Sequence, residues 1–163
     1  MGGKKKILII DDDKYLLRTF TRMLEDTDYT VHTANDLKSG EALIQLTTYD
    51  AILLDYHMEE DKGKDFIDAG GWDKSKTKML LILGHVTHEK VRYFFMEGVN
   101  GYLLKPFNKE DLLGTLNVHL SIDSEAESML QNEYREEPEG LIGRNEENEK
   151  EASSYGEAQD HDR

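Results

Sequence analysis

The stretch Lys6-Ile7-Leu8-Ile9-Ile10-Asp11-Asp12-Asp13 joins an unbroken aliphatic run to three consecutive carboxylates. A continuous run of this length, rich in β-branched side chains and bounded by polar residues, is typical of a strand buried on both faces of a sheet. The carboxyl end of that strand would carry a dense negative cluster to one edge of the sheet. In open parallel α/β sheets, this edge is where ligands bind.

The rest of the chain alternates between apolar runs with strand character and amphipathic segments with helical spacing. Strands that alternate with helices predict a parallel sheet with helices on both faces and right-handed crossovers. We therefore predict the α/β class, with a doubly wound five-stranded sheet in the order 2-1-3-4-5. The predicted strands are residues 7–10, 29–34, 50–55, 79–83 and 102–104. Helices are predicted over residues 14–26, 64–70 and 88–97, with another after Asn35 or Asp36 and a last one after Asn108.

Polar residues stand where several of these helices need N-caps. Asp13 is predicted to cap the first helix, Asn35 or Asp36 the second, Thr87 the fourth and Asn108 the last. The segment from Tyr56 to Gly63 is predicted to be a polar loop. The second helix is expected to face the core with Leu37, Ala42, Leu43, Ile44 and Leu46.

The formal net charge of −14 is unevenly distributed along the chain. Residues 1–120 carry 20 acidic and 16 basic side chains, whereas residues 121–163 carry 14 and 4. Such an acidic balance argues against binding nucleic acid, which needs patches of Lys and Arg. We predict a domain over residues 1–122 and an acidic tail over residues 123–163, largely disordered from about residue 138.

The chain has no cysteine, which excludes disulfides, thiolate nucleophiles and cysteine-ligated metals. No apolar run approaches the length of a membrane span, and the first six residues lack the apolar core of a signal peptide. We therefore expect a soluble cytoplasmic protein that does not bind a membrane.

Four charged side chains are predicted to converge at the carboxyl edge of the sheet. Asp11 and Asp12 follow the first strand, Asp55 ends the third and Lys105 follows the fifth. Clustered carboxylates repel one another, and a hard divalent cation such as Mg²⁺ or Mn²⁺ offsets that repulsion. A cation, a carboxylate nucleophile and a lysine are the parts needed to transfer a phosphoryl group to an aspartate. Asp55 is the better nucleophile candidate, because Asp11 and Asp12 are paired as a cradle for the metal.

The combined motifs resemble the receiver domain of two-component response regulators over about residues 5–120. Each motif alone is weak, whereas the set is highly specific. The resemblance implies a flavodoxin-like fold. The motifs are Ile7-Leu8-Ile9-Ile10-Asp11-Asp12-Asp13, Ile52-Leu53-Leu54-Asp55, Gly63 eight residues further on, and Gly101-Tyr102-Leu103-Leu104-Lys105-Pro106-Phe107.

The resemblance assigns a role to each residue of the predicted pocket. Asp55 would accept a phosphoryl group from a phosphohistidine on a sensor histidine kinase or phosphotransfer protein. Asp11, Asp12 and Asp55 would bind Mg²⁺, with the backbone carbonyl of His57 as a further ligand, and Lys105 would contact the phosphate. Apart from self-phosphorylation and dephosphorylation, such a domain is not an enzyme, and it acts through a downstream protein partner.

The resemblance also implies a switch and a special peptide bond. Tyr102 matches the aromatic residue whose rotation reports phosphorylation, and the bond from Lys105 to Pro106 would be cis. The family usually has Ser or Thr at the end of strand four, but counting back from Lys105 places Leu83 or Gly84 there. Neither residue has a hydroxyl.

A second departure lies four residues after the expected phosphoacceptor. The family usually has proline at this position, whereas this chain has Glu59 in the acidic run Glu59-Glu60-Asp61. The chemistry at Asp55 can survive both departures.

Other functions remain open at this point. The first alternative is a pseudo-receiver, a binding scaffold whose switching is altered or independent of phosphorylation. A Mg²⁺-dependent phosphatase with its aspartate after the first strand is disfavoured, because that class needs Asp-x-Asp and then a small β-branched residue, which Asp11-Asp12-Asp13-Lys14-Tyr15 lacks. A dinucleotide-binding protein is disfavoured because no glycine loop follows the first strand.

Overall fold

The structure is a computed structural model that describes residues 3–121, with the backbone alone at Asp61 and Ser121. Strands and helices alternate along most of this length, as the hydrophobic pattern predicts. The elements in chain order are β1 (Lys5–Ile10), α1 (Lys14–Leu24), β2 (Tyr29–Ala34), α2 (Leu37–Leu46), β3 (Ala51–Asp55), α3 (Met58–Asp61), α4 (Gly63–Ala69), β4 (Lys78–Leu83), α5 (His88–Met96), β5 (Gly101–Leu104) and α6 (Lys109–Ser121).

The five strands form one parallel sheet in the order β2-β1-β3-β4-β5. This order confirms the predicted doubly wound, flavodoxin-like topology. β1 pairs with β2 on one side and with β3 on the other, so the direction of winding reverses between β1 and β3. The crevice at such a switch point is the usual ligand site of this fold class.

The sheet separates two apolar layers, because alternate side chains of a strand point to opposite faces. From β1, Ile7 and Ile9 enter one layer, whereas Leu8 and Ile10 enter the other. α1 and α6 cover the first layer, while α2, α4 and α5 cover the second. Helices therefore lie on both faces, as predicted.

N-cap side chains accept hydrogen bonds from backbone N–H groups at the starts of the helices, at the positions that the sequence predicts. The Asp13 carboxylate accepts from the backbone N–H of Tyr15 and Leu16 at 2.8 and 3.2 Å. Thr87 accepts from the N–H of Lys90 at 3.3 Å. Of the two candidates for α2, Asp36 is the cap, accepting from Ser39 N–H at 2.6 Å, and Asn108 exchanges hydrogen bonds with Asp111 at the start of α6. These caps are confirmed.

Apart from shifts of one or two residues at the ends of other elements, three details differ from the predictions. α1 ends at Leu24, two residues early, because the backbone leaves the helical region at Glu25, with a ψ of 146°, and Asp26 then has a φ of 59°. The inward face of α2 is wrong at Ala42 and Leu46, both of which are exposed, Leu46 by 83%. That face centres on Gly40, which packs on Ile10, and Leu46 lies about 120° around the helix from Gly40.

The third difference is the segment after β3, which is not entirely loop. It contains the single turn α3, within which Glu59 and Glu60 have left-handed φ values of 49° and 59°. The next helix, α4, begins at Gly63 and ends at Ala69, one residue before the predicted range at both ends.

Close packing against the backbone of Tyr56 leaves no room for a side chain at Gly63. A Cβ at this position would lie 2.3 Å from the backbone carbonyl oxygen of Tyr56, which is far inside van der Waals contact. We expect Gly63→Ala to lower the free energy of unfolding by about 1–3 kcal/mol, because the backbone must move to relieve the overlap. Urea denaturation measures this change.

The control for Gly63→Ala is Gly114→Ala in α6, where an added Cβ meets nothing within 4 Å. That substitution is expected to stabilise the protein by about 0.5–1 kcal/mol, since glycine is a poor helix former. Equal effects of the two substitutions would contradict the packing argument.

Candidate functional site

The predicted pocket lies where the carboxyl ends of β1, β3 and β5 meet. Asp11 directly follows β1, Asp55 is the last residue of β3, and Lys105 directly follows β5. β1 and β3 are neighbours at the switch point, which brings their carboxylates together. β5 is two strands away from β3, and the long side chain of Lys105 covers that distance.

The side chains meet as the sequence predicts. One carboxylate oxygen from each of Asp11, Asp12 and Asp55 lies within 4.8 Å of the others. The Lys105 ammonium lies 3.3 Å from Asp55 Oδ2 and 4.0 Å from Asp11 Oδ2. The peptide bond between Lys105 and Pro106 is cis, as the resemblance implies.

The surroundings of Asp11 shift the pKa of its carboxyl group. It is fully buried, and burial raises the pKa of its carboxyl group to about 6. The N–H of Asp13, which donates to Asp11 Oδ1 at 2.8 Å, lowers the pKa, whereas the nearby Asp55 raises it and Lys105 lowers it. Asp11 Oδ2 is buried and has no hydrogen-bond partner among the described residues.

The two carboxylate oxygens of Asp55 have different hydrogen-bond donors, a backbone N–H and the ammonium of Lys105. It is 7% exposed, and its Oδ1 accepts from the backbone N–H of His57 at 3.1 Å. Its Oδ2 accepts from Lys105. The carboxylate of Asp12, in contrast, is exposed and accepts from the backbone N–H of Glu59 at 3.2 Å.

The chemistry of this donor set fits Mg²⁺ or Mn²⁺. Three carboxylates supply hard oxygen donors, with no cysteine or histidine side chain in the group. A cation would also satisfy Asp11 Oδ2 and offset the repulsion among the carboxylates. The backbone of His57 adjoins the pocket through its N–H, while its carbonyl as a metal ligand stays a prediction.

The residues predicted at the switch positions lie in or directly after β4 and β5. The carbonyl of Leu83 accepts from Lys105 N–H at 2.8 Å, but its side chain is buried in the core. Gly84 is exposed, and a Cβ there would meet nothing within 4 Å. Tyr102 is half-buried and packs against the same apolar layer as Leu83. Thr87, the nearest hydroxyl along the chain, caps α5.

Sequence reasoning missed the part played by Glu59. Its carboxylate accepts from the backbone N–H of Leu37 at 3.2 Å, where α2 begins, while its own N–H donates to Asp12. Glu59 therefore ties the segment after β3 to both α2 and the acidic pocket. The replacement of proline was visible in the sequence, but the partner at Leu37 was not.

We expect Glu59→Ala to weaken Mg²⁺ binding about tenfold, because partners that orient metal ligands typically contribute on this scale. Loss of the Leu37 contact would free the segment that positions Asp12 through the Glu59 N–H. Isothermal titration with MgCl₂ measures the affinity. Glu60→Ala is a matched control, since Glu60 has a similar left-handed φ of 59° and an exposed side chain. Equal losses in the two variants would contradict a specific role for Glu59.

An acidic pocket with a facing lysine therefore lies at the switch point of a 2-1-3-4-5 sheet, where proteins of this fold class bind their ligands. The chain belongs to the response regulator receiver domain family, because the model of that family matches residues 7–117. The predicted resemblance is thus confirmed.

Curated relatives include longer regulators. The chain is 31% identical over 107 residues to the alginate biosynthesis transcriptional regulatory protein AlgB of Pseudomonas putida, a match that covers 66% of this chain and 24% of that protein. It is 29% identical over 113 residues to the cell cycle response regulator CtrA of Brucella ovis, covering 69% and 48%. The chain therefore spans between a quarter and a half of the length of these relatives.

Solved structures include proteins of this domain's own size. The chemotaxis protein CheY4 of Vibrio cholerae is 31% identical, with a TM-score of 0.65, over 71% of this chain and 98% of that one. A response regulator receiver domain protein of Methanospirillum hungatei is 25% identical, with a TM-score of 0.63, over 77% and 98%.

Within residues 3–121, no helix combines the length and apolar character that crossing a membrane requires.

Proposed function

We propose that this receiver domain accepts a phosphoryl group on Asp55 from a phosphohistidine of a sensor histidine kinase or phosphotransfer protein. An oxygen of Asp55 attacks phosphorus, the bond from phosphorus to the histidine nitrogen breaks, and its electron pair stays on the imidazole. The product is an acyl phosphate on Asp55, which water later hydrolyses. The observation that carries this proposal is the approach of Lys105 to within 3.3 Å of Asp55 Oδ2, inside a cluster of three carboxylates.

Each residue of the pocket has a defined task in this proposal. Asp11, Asp12 and Asp55, with the His57 carbonyl, would hold Mg²⁺, which supplies positive charge against the oxygens of the transferred group. Lys105, whose ammonium lies 3.3 Å from Asp55 Oδ2, supplies a second positive charge. The His57 N–H orients Asp55 through Oδ1, so that Oδ2 is presented to the donor.

The proposed output is contact with a downstream protein partner. We propose a domain over residues 1–122 followed by an acidic tail over residues 123–163. The whole of this tail, including the part beyond residue 138 that is predicted to be disordered, lies outside the described residues. The net charge of residues 1–120 is −4 and that of residues 121–163 is −10, which supports a protein partner over nucleic acid or an anionic membrane. A cytoplasmic location fits such a module.

A second candidate function is a pseudo-receiver with altered switching. It is favoured by one observation, the lack of a hydroxyl at the end of β4, where Leu83 is buried and Gly84 has no side chain. In that case Tyr102 would pack in the core without responding to Asp55.

Intact mass spectrometry after incubation with acetyl phosphate separates the two functions. A phosphoacceptor gains the mass of one phosphoryl group when MgCl₂ is present and none when EDTA is present. An unchanged mass with MgCl₂ would reject the proposed function and leave the pseudo-receiver. If the adduct forms, comparing the amide spectrum around Tyr102 before and after phosphorylation tests whether the switch survives.

A further inference from the structure

α1 carries a stripe of positive charge on an otherwise acidic protein. Lys14, Arg18 and Arg22 recur every four residues, so their side chains lie along one face of the helix. All three are exposed, and none forms an ion pair within the part of the chain that the structure describes. The helix itself contains no acidic residue. The stripe is therefore available to a negatively charged partner.

This stripe lines a groove of about 550 Å³ between α1 and the edge strand β2. Leu17 and Thr33 also line it, while Glu25 is its single acidic residue, at one end. A groove lined by three cations and one anion fits an acidic peptide better than a neutral or basic one. We call it the α1 groove.

The chain itself contains a matching acidic segment. Residues 146–151 read Glu146-Glu147-Asn148-Glu149-Lys150-Glu151, with four carboxylates in six positions. In an extended segment, alternate side chains lie on one side and repeat about every 6.6–7 Å, so that Glu147, Glu149 and Glu151 would face the same way. Cations four residues apart on a helix repeat about every 6 Å, which is nearly the same spacing.

The connection between these two parts is long enough. α6 ends at Ser121 and covers the same face of the sheet as α1. The intervening residues 122–145 would span about 36 Å even if they were entirely helical, whereas α1 is about 16 Å long.

We propose that the acidic segment Glu146–Glu151 docks in the α1 groove of the same molecule, with Glu147, Glu149 and Glu151 facing Lys14, Arg18 and Arg22. Because the segment is tethered, weak ion pairs act at a high effective concentration. Lys14 directly follows Asp13, whose N–H donates to Asp11 of the acidic pocket, so a protein that binds along α1 would compete with the docked segment. The inference does not depend on phosphorylation of Asp55.

The absence of native cysteines allows a direct test. A spin label on Ser153→Cys in the full chain is expected to broaden the amide signals of α1 and of Thr33 at low salt, relative to the reduced label. The broadening should be lost in 1 M NaCl, where the Debye length falls to about 3 Å. It should also be lost in Arg18→Glu/Arg22→Glu and, independently, in Glu147→Gln/Glu149→Gln/Glu151→Gln, which leaves the folded domain untouched.

Lys38→Glu/Lys109→Glu is the matched control, because it reverses two exposed cations outside the groove and should leave the broadening unchanged. The proposal is overturned if α1 signals are not broadened at low salt, or if broadening persists after reversal of both arginines. Broadening that survives neutralisation of the three glutamates would overturn it too, since another segment would then occupy the groove.

Discussion

Asp55→Asn is expected to abolish phosphorylation by acetyl phosphate completely, with no adduct in the intact mass where the wild type gains one phosphoryl group. An amide oxygen is a far weaker nucleophile than a carboxylate, and the asparagine also removes one charge from the metal site. The change keeps the shape of the side chain and an oxygen that can accept from His57 N–H. Loss of the adduct would therefore report lost chemistry and not lost structure.

Asp65→Asn provides the control, since Asp65 is an exposed aspartate of α4 outside the pocket. This variant should be phosphorylated as the wild type is. An adduct on Asp55→Asn, or a phosphoryl group mapped by peptide analysis to Asp11 or Asp12, would contradict the assignment of Asp55.

Asp11→Asn is expected to have two effects. It should remove Mg²⁺ binding, and it should raise the free energy of unfolding of the metal-free protein at alkaline pH. Burial raises the pKa of Asp11 from 3.8 to about 6, so the folded protein binds this proton more tightly than the unfolded chain does. The stability of the wild type in EDTA should therefore fall as pH rises from about 4 to above 6. Ionisation of Asp11 over this pH range should lower the free energy of unfolding by about 3 kcal/mol.

Asparagine cannot ionise and avoids that cost. The free energy of unfolding of the variant in EDTA should therefore exceed that of the wild type by up to about 3 kcal/mol at pH 8 and equal it near pH 4. Denaturation curves across this pH range measure the difference. Excess MgCl₂ should stabilise the wild type at pH 8 and leave Asp11→Asn unchanged, because the ligand set has lost a charge. A variant less stable than the wild type at pH 8 in EDTA, or equally stabilised by MgCl₂, would refute this account of Asp11.

The sequence was sufficient to predict the sheet and the meeting of four charged residues. Runs such as Ile7–Ile10 and Ile52–Leu54 are apolar at every position, which is typical of short strands buried on both faces. Once strand order was predicted, the positions of Asp11, Asp55 and Lys105 at strand ends followed, because parallel strands share one carboxyl edge. Helix caps such as Asp13 were predictable because they act within three residues along the chain.

Contacts between distant residues were not predictable in the same way. The hydrogen bond from Leu37 N–H to Glu59 depends on a left-handed backbone at Glu59, which glutamate rarely adopts. The exposure of Leu46 depends on the close packing of Gly40 on Ile10, which rotates the buried face of α2. Apolar character alone does not fix which side of a helix faces the sheet when apolar residues lie on several sides.

The central claim is that a divalent cation and a phosphoryl group share the pocket around Asp55. A crystal structure with Mg²⁺ and beryllofluoride, a mimic of the phosphoryl group, tests it most directly. We expect beryllium bonded to an oxygen of Asp55, Lys105 against a fluoride, and Mg²⁺ at about 2.1 Å from carboxylate oxygens of the cluster. Beryllofluoride absent from Asp55 in saturated crystals, or Mg²⁺ bound away from Asp11 and Asp12, would contradict the claim.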